Sequence, residues 1–359
     1  MKTCSPEAAA AVLPLFEIEG DLVAVVPYER GHIHNTFIST WRQPGGQRRY
    51  LHQQINQAVF RDVEGLMHNI ERVTRHLQDK LTAGRESGGF HPLCLVPSRA
   101  GGSFLNHDSG PWRTYLFIEN TATYDLCASE ERAFETARAF GRFQAWLSDL
   151  EAAELCETIP NFFSTPYRYE QFDRALADDR AGRRADCGRE IELVERLRPL
   201  ARAFEDRLRD GSLPRRIVHG DTKLNNILFD CDSGRAVSIV DLDTCMPAYS
   251  LYDFGDLVRF TAATAGEDER DLSRVGVDLK LYRALARGYL DQAGPFLTGT
   301  EIELMPLSAR IVTLTIGVRF LTDHLNGDVY FKVSREAQNL DRARVQFKLA
   351  EQMETLPGV

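Results

Sequence analysis

The stretch 219–226, with the sequence HGDTKLNN, constrains this chain more than any other because it leads directly into a predicted hairpin. Two short apolar runs flank the turn 230–234, a pattern typical of paired antiparallel strands. Asp221 and Asn226 come before the first run, and Asp241 ends the second. The hairpin is therefore expected to present an acid, an amide and a second acid at one end of a rigid element.

These residue types in this order suit phosphoryl transfer. In that chemistry one carboxylate orients the attacking hydroxyl and accepts its proton, and an amide and a second carboxylate hold Mg²⁺ against the nucleotide phosphates. We assign the first role to Asp221 and the metal to Asn226 and Asp241, with Lys223 as a cation for phosphate. The alternative is a surface turn whose polar side chains cap backbone groups, which the joint pattern disfavours.

Length and charge narrow the class of protein. The 359 residues exceed the usual size of a single core, so two lobes are expected. A net charge of −9 argues against nucleic acid or an anionic membrane as the main partner. The apolar run 8–16 is too short to span a membrane and makes a poor signal peptide.

Cysteine usage points to a reducing compartment. The seven cysteines are scattered and contain no Cys-x-x-Cys pair, which favours free thiols in a cytoplasmic protein over disulfides or a zinc site.

The order of predicted elements is α+β. Strands over 22–26, 36–41 and 49–55 form an antiparallel meander and precede a helix over 58–81 and two further strands at 93–97 and 113–118. The rest is mainly helical, over 130–149, 166–178, 189–208, 250–261, 275–291, 307–325 and 335–354. We expect a two-lobed, protein-kinase-like fold, with a β-rich nucleotide-binding lobe at 1–118 and a helical catalytic and acceptor-binding lobe at 119–359 that carries the hairpin.

The motifs carry a family resemblance. The segments 219–226 and 239–241 resemble the aminoglycoside phosphotransferase and choline kinase superfamily of kinase-like folds. With 246–247, 251–256 and 319–330 they are most similar to N-acetylhexosamine 1-kinases, which phosphorylate the anomeric hydroxyl of N-acetylglucosamine and N-acetylgalactosamine. The resemblance implies ATP and Mg²⁺ as cofactors and a small sugar as acceptor.

The same resemblance implies acceptor contacts beside Asp221. Phe260, Arg319 and Tyr330 match such positions, since an Arg fork and a Tyr hydroxyl can bind sugar hydroxyls while an aromatic face covers the acetyl methyl. Core packing of the aromatics, and pairing of Arg319 with Asp256 or Asp323, are the alternatives. We interpret Asp256 and the nearby Asp253, despite its Asp-Phe-Gly context, as scaffold acids.

Nucleotide contacts are expected from the N-terminal lobe and from the connector between the lobes. Gly31, His32 and Asn35 lie in the predicted phosphate-covering turn. His32 and His34 could contact phosphate or acceptor, although histidines in such turns more often face solvent. The third strand lacks the usual Lys, and Gln53, or else Gln54, takes its place, with Glu64 or Glu71 as helix partner. Phe117 and Glu119 lie in the connector, where the backbone would bind adenine.

The leading hypothesis is an ATP- and Mg²⁺-dependent N-acetylhexosamine 1-kinase, monomeric or homodimeric. One alternative keeps the chemistry and changes the acceptor to an aminoglycoside, choline or ethanolamine, homoserine, or another sugar. A cationic acceptor fits less well because Arg319 would line its pocket. Another alternative is a nucleotide-binding pseudokinase, which the intact set of Asp221, Asn226 and Asp241 disfavours.

Overall fold

A computed structural model describes residues 4–28, 33–83 and 89–359. Its α-helices are α1 (Pro6–Val12), α2 (Val63–Ala83), α3 (Glu130–Leu147), α4 (Thr165–Asp178), α5 (Gly188–Leu197), α6 (Ala203–Arg209), α7 (Ser250–Thr261), α8 (Leu279–Ala293), α9 (Gly299–Leu325) and α10 (Gln338–Gln352). Its strands are β1 (Asp21–Pro27), β2 (Asn35–Gln43), β3 (Gly46–Gln54), β4 (Leu105–His107), β5 (Gly110–Leu116), β6 (Thr121–Ala122), β7 (Arg216–Val218), β8 (Ile227–Asp230), β9 (Ala236–Ile239) and β10 (Met246–Ala248).

The chain divides into two compact units that are discontinuous in sequence. The first contains residues up to Ala122 together with 149–160 and 228–246, and the second contains 123–148, 161–227 and 247–359. The boundary predicted from sequence is a single one, after residue 118.

A five-stranded sheet organises the first unit, in the order β1-β2-β3-β5-β4, with antiparallel pairing throughout. The three-strand meander predicted from sequence is confirmed. Aromatic residues supply much of the core beneath it, where Phe16, Phe37, Trp41 and Trp112 pack in one cluster with α1. The strands β8 and β9 pair with each other as the predicted hairpin, and β6 adds to their edge.

Helices dominate the second unit. The core helix α9 is buried on every side from Ile311 to Leu325, apart from Arg319, as expected of a helix surrounded by protein. It has the length and composition of a membrane span, but 78% of its most apolar window is buried inside the structure. A capping box fixes its start, where Thr298 accepts from the backbone of Glu301 and the Glu301 carboxylate accepts from the backbone of Thr298.

Several predicted elements differ in the structure. The helix expected from residue 58 begins at Val63, after a turn over 57–59. The helix expected over 189–208 divides into α5, a 3₁₀ turn at Arg198–Arg202 and α6, because Pro199 cannot donate a backbone hydrogen bond. The strand expected at 93–97 forms only an isolated bridge, between Leu95 and Tyr115.

Candidate active site

The loop that carries Asp221 is held by hydrogen bonds to helix α7 of the same unit. The Asp253 carboxylate is fully buried and accepts hydrogen bonds from the backbone N–H groups of His219 and Gly220, at 2.9 and 2.8 Å, and from the side chain of Gln144 at 2.6 Å. Burial raises the pKa of this carboxyl. Asp253 thus holds the loop in place, as the interpretation of a scaffold acid requires.

A second acid of α7 holds the next residue of the loop. Asp256 accepts from the backbone of Thr222 at 3.1 Å and pairs with Arg259 at 2.7 Å, and all three residues are buried. Gly220 has φ +81°, a conformation that an L side chain rarely adopts, which accounts for glycine at this position. The loop conformation is therefore determined by neighbours rather than by its own residues alone.

Asp221 and Lys223 form an ion pair at the mouth of this loop. The Lys223 Nζ lies 2.8 Å from Oδ1 and 3.0 Å from Oδ2 of Asp221, and both side chains are partly exposed. Burial alone would raise the pKa of Asp221, but the charge of Lys223 outweighs it and the pKa is lowered. Burial likewise disfavours the charged Lys223, yet Asp221 and Asp256 raise its pKa overall. Both groups are therefore ionised at neutral pH.

Asn226 is oriented by Asp221. Its Nδ2 donates to the backbone carbonyl of Asp221 at 2.8 Å and to Oδ2 of the same residue at 3.1 Å. Both hydrogen atoms of the Asn226 amide nitrogen are thus used, and no described residue donates to the Asn226 amide oxygen. Amide and carboxylate oxygens are the ligands that Mg²⁺ prefers, so the donor chemistry of Asn226 and Asp241 suits this ion.

Asp241 belongs to the first unit, where it follows strand β9. Its backbone adopts the left-handed conformation, with φ 63° and ψ 57°, and its side chain is exposed. Two residues later Asp243 is buried and forms a two-point ion pair with Arg113 of β5, at 2.5 and 2.9 Å. Burial would raise the pKa of Asp243, but Arg113 and His34 lower it strongly.

His34 completes this buried network. Its Nδ1 accepts from the backbone N–H of Asn56 at 3.0 Å, so the proton resides on Nε2, which donates to Asp243 at 2.5 Å. His34 is thus a buried structural residue, rather than the solvent-facing or phosphate-binding residue considered from sequence. The pairing of Arg113 with Asp243 is not predicted from the sequence. Two sequence features point to it: a charged residue in a predicted apolar strand, and a second acid two residues after Asp241.

Gln53 contacts this network. Its side-chain oxygen accepts from Arg113 Nε at 2.9 Å, whereas Gln54, on the opposite face of β3, binds Asn35 at 2.7 Å. Glu71 pairs instead with Arg75 of its own helix α2. The charged partner of Gln53 is therefore an arginine from the adjacent strand.

The other predicted nucleotide contacts have separate surroundings. Phe117 follows β5, and the Arg49 guanidinium lies 4.2 Å above its ring. Glu119 is exposed and pairs with the same arginine. Gly31 and His32 lie outside the described residues.

The predicted acceptor residues fall into two groups within the second unit. Phe260, half-buried, has its ring centre 5.6 Å from Lys223 Nζ, next to the loop that carries Asp221. Arg319 lies 5.8 Å from the ring of Tyr330, which is 62% exposed. The alternative considered from sequence, a pairing of Arg319 with Asp256 or Asp323, does not form among the described residues, where Arg259 binds Asp256 and backbone N–H groups bind Asp323.

Arg319 and Tyr330 line one cavity of about 390 Å³ that lies entirely within the second unit. Its walls come from α4, from α9 and from the segment that follows α9. The lining residues are Arg168, Gln171, Arg174, Ala175, Asp178, Arg180, Arg319, Thr322, Asp323, Asn326, Val329, Tyr330 and Phe331.

Comparison with known proteins gives a family match that includes the loop carrying Asp221. The sequence profile of the family described as "Phosphotransferase enzyme family" matches residues 25–293, about three quarters of the chain.

Solved structures share the fold at low sequence identity. An aminoglycoside phosphotransferase from Alicyclobacillus acidocaldarius is 14% identical, with a TM-score of 0.59 over 99% of this chain and 95% of that one. A spectinomycin phosphotransferase in complex with ADP and spectinomycin is 12% identical, with a TM-score of 0.59 over 98% and 100%. A choline kinase from Cryptosporidium parvum is 15% identical, with a TM-score of 0.57 over 96% and 94%. At these identities the likeness establishes the kinase-like fold.

Proposed function

Because the chain belongs to the phosphotransferase enzyme family, we propose that it transfers the γ-phosphoryl group of ATP, with Mg²⁺, to the anomeric hydroxyl of an N-acetylhexosamine. The observation that carries the proposal is the arrangement of the catalytic loop. Asp253 and Asp256 hold its backbone, Asp221 and Lys223 pair at its mouth, and the amide oxygen of Asn226 is left available.

Each of these residues has a distinct role. Asp221, ionised because Lys223 lowers its pKa, accepts a hydrogen bond from the acceptor hydroxyl and takes its proton as the new P–O bond forms and the bond from the γ-phosphorus to the departing ADP breaks. Lys223 exchanges its carboxylate partner for an oxygen of the transferring phosphoryl group, which stabilises the developing charge. Asn226 and Asp241 would hold Mg²⁺ through their side-chain oxygens, and the bound ion would neutralise charge on the nucleotide phosphates.

The charge of the cavity in the second unit supports a sugar over an amine as acceptor. Choline, ethanolamine and aminoglycosides are cations, and their recognition requires unneutralised carboxylates or an aromatic cage without a competing cation. Among the residues that line this cavity, Arg319 already occupies the aromatic faces of Tyr330 and Phe331. A neutral or acidic sugar hydrogen-bonds to such a group, whereas an ammonium ion is repelled.

The test is ATP consumption by the purified protein with Mg²⁺ against a panel of small acceptors. The panel holds N-acetylglucosamine, N-acetylgalactosamine, glucose, galactose, kanamycin, choline and homoserine, and ³¹P NMR identifies the phosphorylated position. We expect an anomeric phosphate on an N-acetylhexosamine. Turnover of choline or kanamycin alone would overturn the sugar assignment and leave the kinase assignment intact. ATP binding without turnover of any panel member would count against both.

A further inference from the structure

The cavity of the second unit is lined by more arginines than acids. Four arginines line it (Arg168, Arg174, Arg180 and Arg319), against the two carboxylates Asp178 and Asp323. A concave site with an excess of one charge concentrates ligands of the opposite charge. The excess matters only if the two carboxylates do not neutralise the remaining arginines, and their contacts decide this.

Both carboxylates are already bound by other groups. Asp178 accepts from Arg180 at 3.1 Å. Asp323 accepts from three successive backbone N–H groups, those of 329–331, at 2.8–3.0 Å, and from the side chain of Asn339 at 2.9 Å. Within the part of the chain that the structure describes, no carboxylate pairs with Arg168, Arg174 or Arg319.

Arg168 is buried with unused donor capacity. Only 9% of the residue is exposed, and its two terminal nitrogens donate to Gln171 at 2.9 Å and to the carbonyl of Phe162 at 3.0 Å. Its buried Nε has no hydrogen-bond partner among the described residues. Burial, together with the charge of Arg319, lowers the pKa of Arg168 to about 10. A buried guanidinium beside a second cation is costly unless an anion completes the site.

Arg319 is held by aromatic rings rather than by an acid. Its guanidinium lies 5.3 Å from the ring of Phe162, 5.4 Å from that of Phe331 and 5.8 Å from that of Tyr330. These contacts orient the planar group and leave its charge in place. No hydrogen bond or ion pair engages its five N–H donors in the described structure, so they are available to a ligand.

We propose that Arg168 and Arg319 together bind an oxyanion group, a carboxylate or a phosphate, on the acceptor. The inference deepens the proposed function and rests on it: the acceptor would be an acidic sugar, phosphorylated at one end and held by its anion at the other. A planar guanidinium binds either oxyanion through two parallel hydrogen bonds.

Helix α7 connects this site to the catalytic loop. The charges of Arg168 and Arg319 act on the pKa of Tyr252. So does the charge of Asp256, whose carboxylate holds the loop. Tyr252 and Phe260, which contacts Lys223, are eight residues apart on the helix, or roughly 12 Å at 1.5 Å per residue. A substituted monosaccharide or disaccharide has the dimensions to extend over that distance.

The first experiment measures binding without turnover. Calorimetric titrations with glucuronate, glucose 6-phosphate and glucose are run with saturating Mg·ADP, so that the nucleotide site is occupied. We expect the wild-type protein to bind at least one acidic sugar about 10- to 100-fold more tightly than glucose, as a charge-assisted pair implies. Arg168→Gln and Arg319→Gln should lose that preference, and Arg168→Lys should keep part of it. Arg198→Gln is the matched control, because Arg198 is already paired with Asp173 and Glu195 outside the cavity.

The two acidic probes distinguish the two sources of the oxyanion, since preference for glucuronate indicates a carboxylate and preference for glucose 6-phosphate indicates a phosphate. Equal affinity for glucose and both acids, in a protein with native circular dichroism, would overturn the inference.

Kinetics separate this inference from the proposed function. An acidic preference in binding without phosphorylation of any sugar would keep the oxyanion site and reject the kinase assignment. Phosphorylation of N-acetylglucosamine with kcat/KM at least equal to that of its 6-phosphate and of glucuronate would keep the kinase and overturn the oxyanion site. We expect Arg319→Gln to raise KM for the acidic acceptor by about 10- to 100-fold, and by several times more than it raises KM for the neutral one.

Discussion

The Arg113 guanidinium and the Asp243 carboxylate form a buried two-point ion pair, with nitrogen–oxygen distances of 2.5 and 2.9 Å and both side chains at most 3% exposed. The pair joins strand β5 to the turn that follows β9. Asp241, the predicted metal ligand, begins that turn in a left-handed backbone conformation. The geometry assigns Arg113 a positioning role, since it fixes the residue two positions beyond Asp241.

Replacing Arg113 should therefore affect both stability and metal use. Arg113→Met leaves the Asp243 carboxylate buried without its main partner, which typically costs about 3–5 kcal/mol. Arg113→Lys keeps the charge but loses the planar fork, so we expect a smaller loss of stability and a several-fold higher Mg²⁺ concentration for half-maximal activity. Urea unfolding and Mg²⁺ titration of turnover measure the two effects.

A double variant is the control for this prediction. Arg113→Met with Asp243→Asn removes both charges, and stability should partly recover while the Mg²⁺ requirement stays raised. An Arg113→Lys protein of reduced stability with an unchanged Mg²⁺ requirement would show that the pair is only structural.

The residues of this site that are close in sequence could be predicted, whereas the contacts between residues far apart in sequence could not. Asp221, Asn226 and Asp241 can be picked out as candidates because their spacing is set within and just before one hairpin. The contact between Arg113 and Asp243 joins residues 130 positions apart, so no local pattern encodes it. The substitution of Gln53 for lysine was visible in the sequence, but only the strand register places Arg113 opposite Gln53.

Asp221→Ala should abolish turnover and leave the protein folded. A positioned general base typically contributes about 10²–10⁴-fold in rate, and removal of Asp221 takes away this group. Asp221→Asn retains most of the hydrogen bonds to Lys223 and Asn226 and should be equally inactive. The control is Asp125→Asn, since Asp125 is exposed and, among the described residues, its one hydrogen bond to the loop comes from Asn225, at 3.3 Å. Initial-rate assays with circular dichroism test the prediction, and more than a tenth of wild-type kcat in the alanine variant would contradict it.

The close packing of helices α3 and α8 depends on two glycines. A Cβ atom at Gly141 would lie 2.6 Å from the Tyr289 carbonyl oxygen, and one at Gly288 would lie 2.2 Å from the Phe134 carbonyl oxygen. Alanine is the better helix former by about 1 kcal/mol, but the backbone contact outweighs that gain. We expect Gly141→Ala and Gly288→Ala each to destabilise the protein by about 1–3 kcal/mol in urea unfolding.

Gly299→Ala is the matched control for the helix glycines. Gly299 begins α9, and apart from its chain neighbours and the nearby backbone of its own helix, no described atom lies within 4 Å of the position that an alanine methyl group would take there. Its substitution should leave stability unchanged or slightly raised. Equal effects at all three positions would contradict the packing argument.

Helix positions were easier to predict than helix ends. The spacing of apolar residues predicts α3, α4 and α7 to within two residues of their observed ends, because apolar residues recur regularly along one face of each helix. Helix α9 begins eight residues before the predicted start, since its first turns contain Pro306 and are stabilised by the capping box. The cavity arginines could not be predicted as a group, because they come from elements about 150 residues apart.

Glu205 should make the protein more stable in mild acid than in mild alkali. Burial raises the pKa of this carboxyl to about 7, and the charge of Asp206 adds to the effect. Hydrogen bonds from the backbone N–H groups of Glu205 itself and of Thr165 oppose it, as does the charge of Arg202. In the unfolded chain the group ionises near pH 4.5. Between these values the folded state binds the extra proton, so stability falls as pH rises from about 4.5 to 7 and then levels off.

Glu205→Gln removes this dependence. We expect the variant to gain roughly 1–3 kcal/mol over wild type at pH 8 and little at pH 4.5. Urea unfolding at both pH values measures the gain, with Glu303→Gln, an exposed residue of α9, as the control. Tyr249, buried nearby, stays neutral because burial and Glu205 raise its pKa. A gain of the same size at both pH values would show that the glutamine stabilises by packing, and that the Glu205 carboxyl does not titrate in this interval.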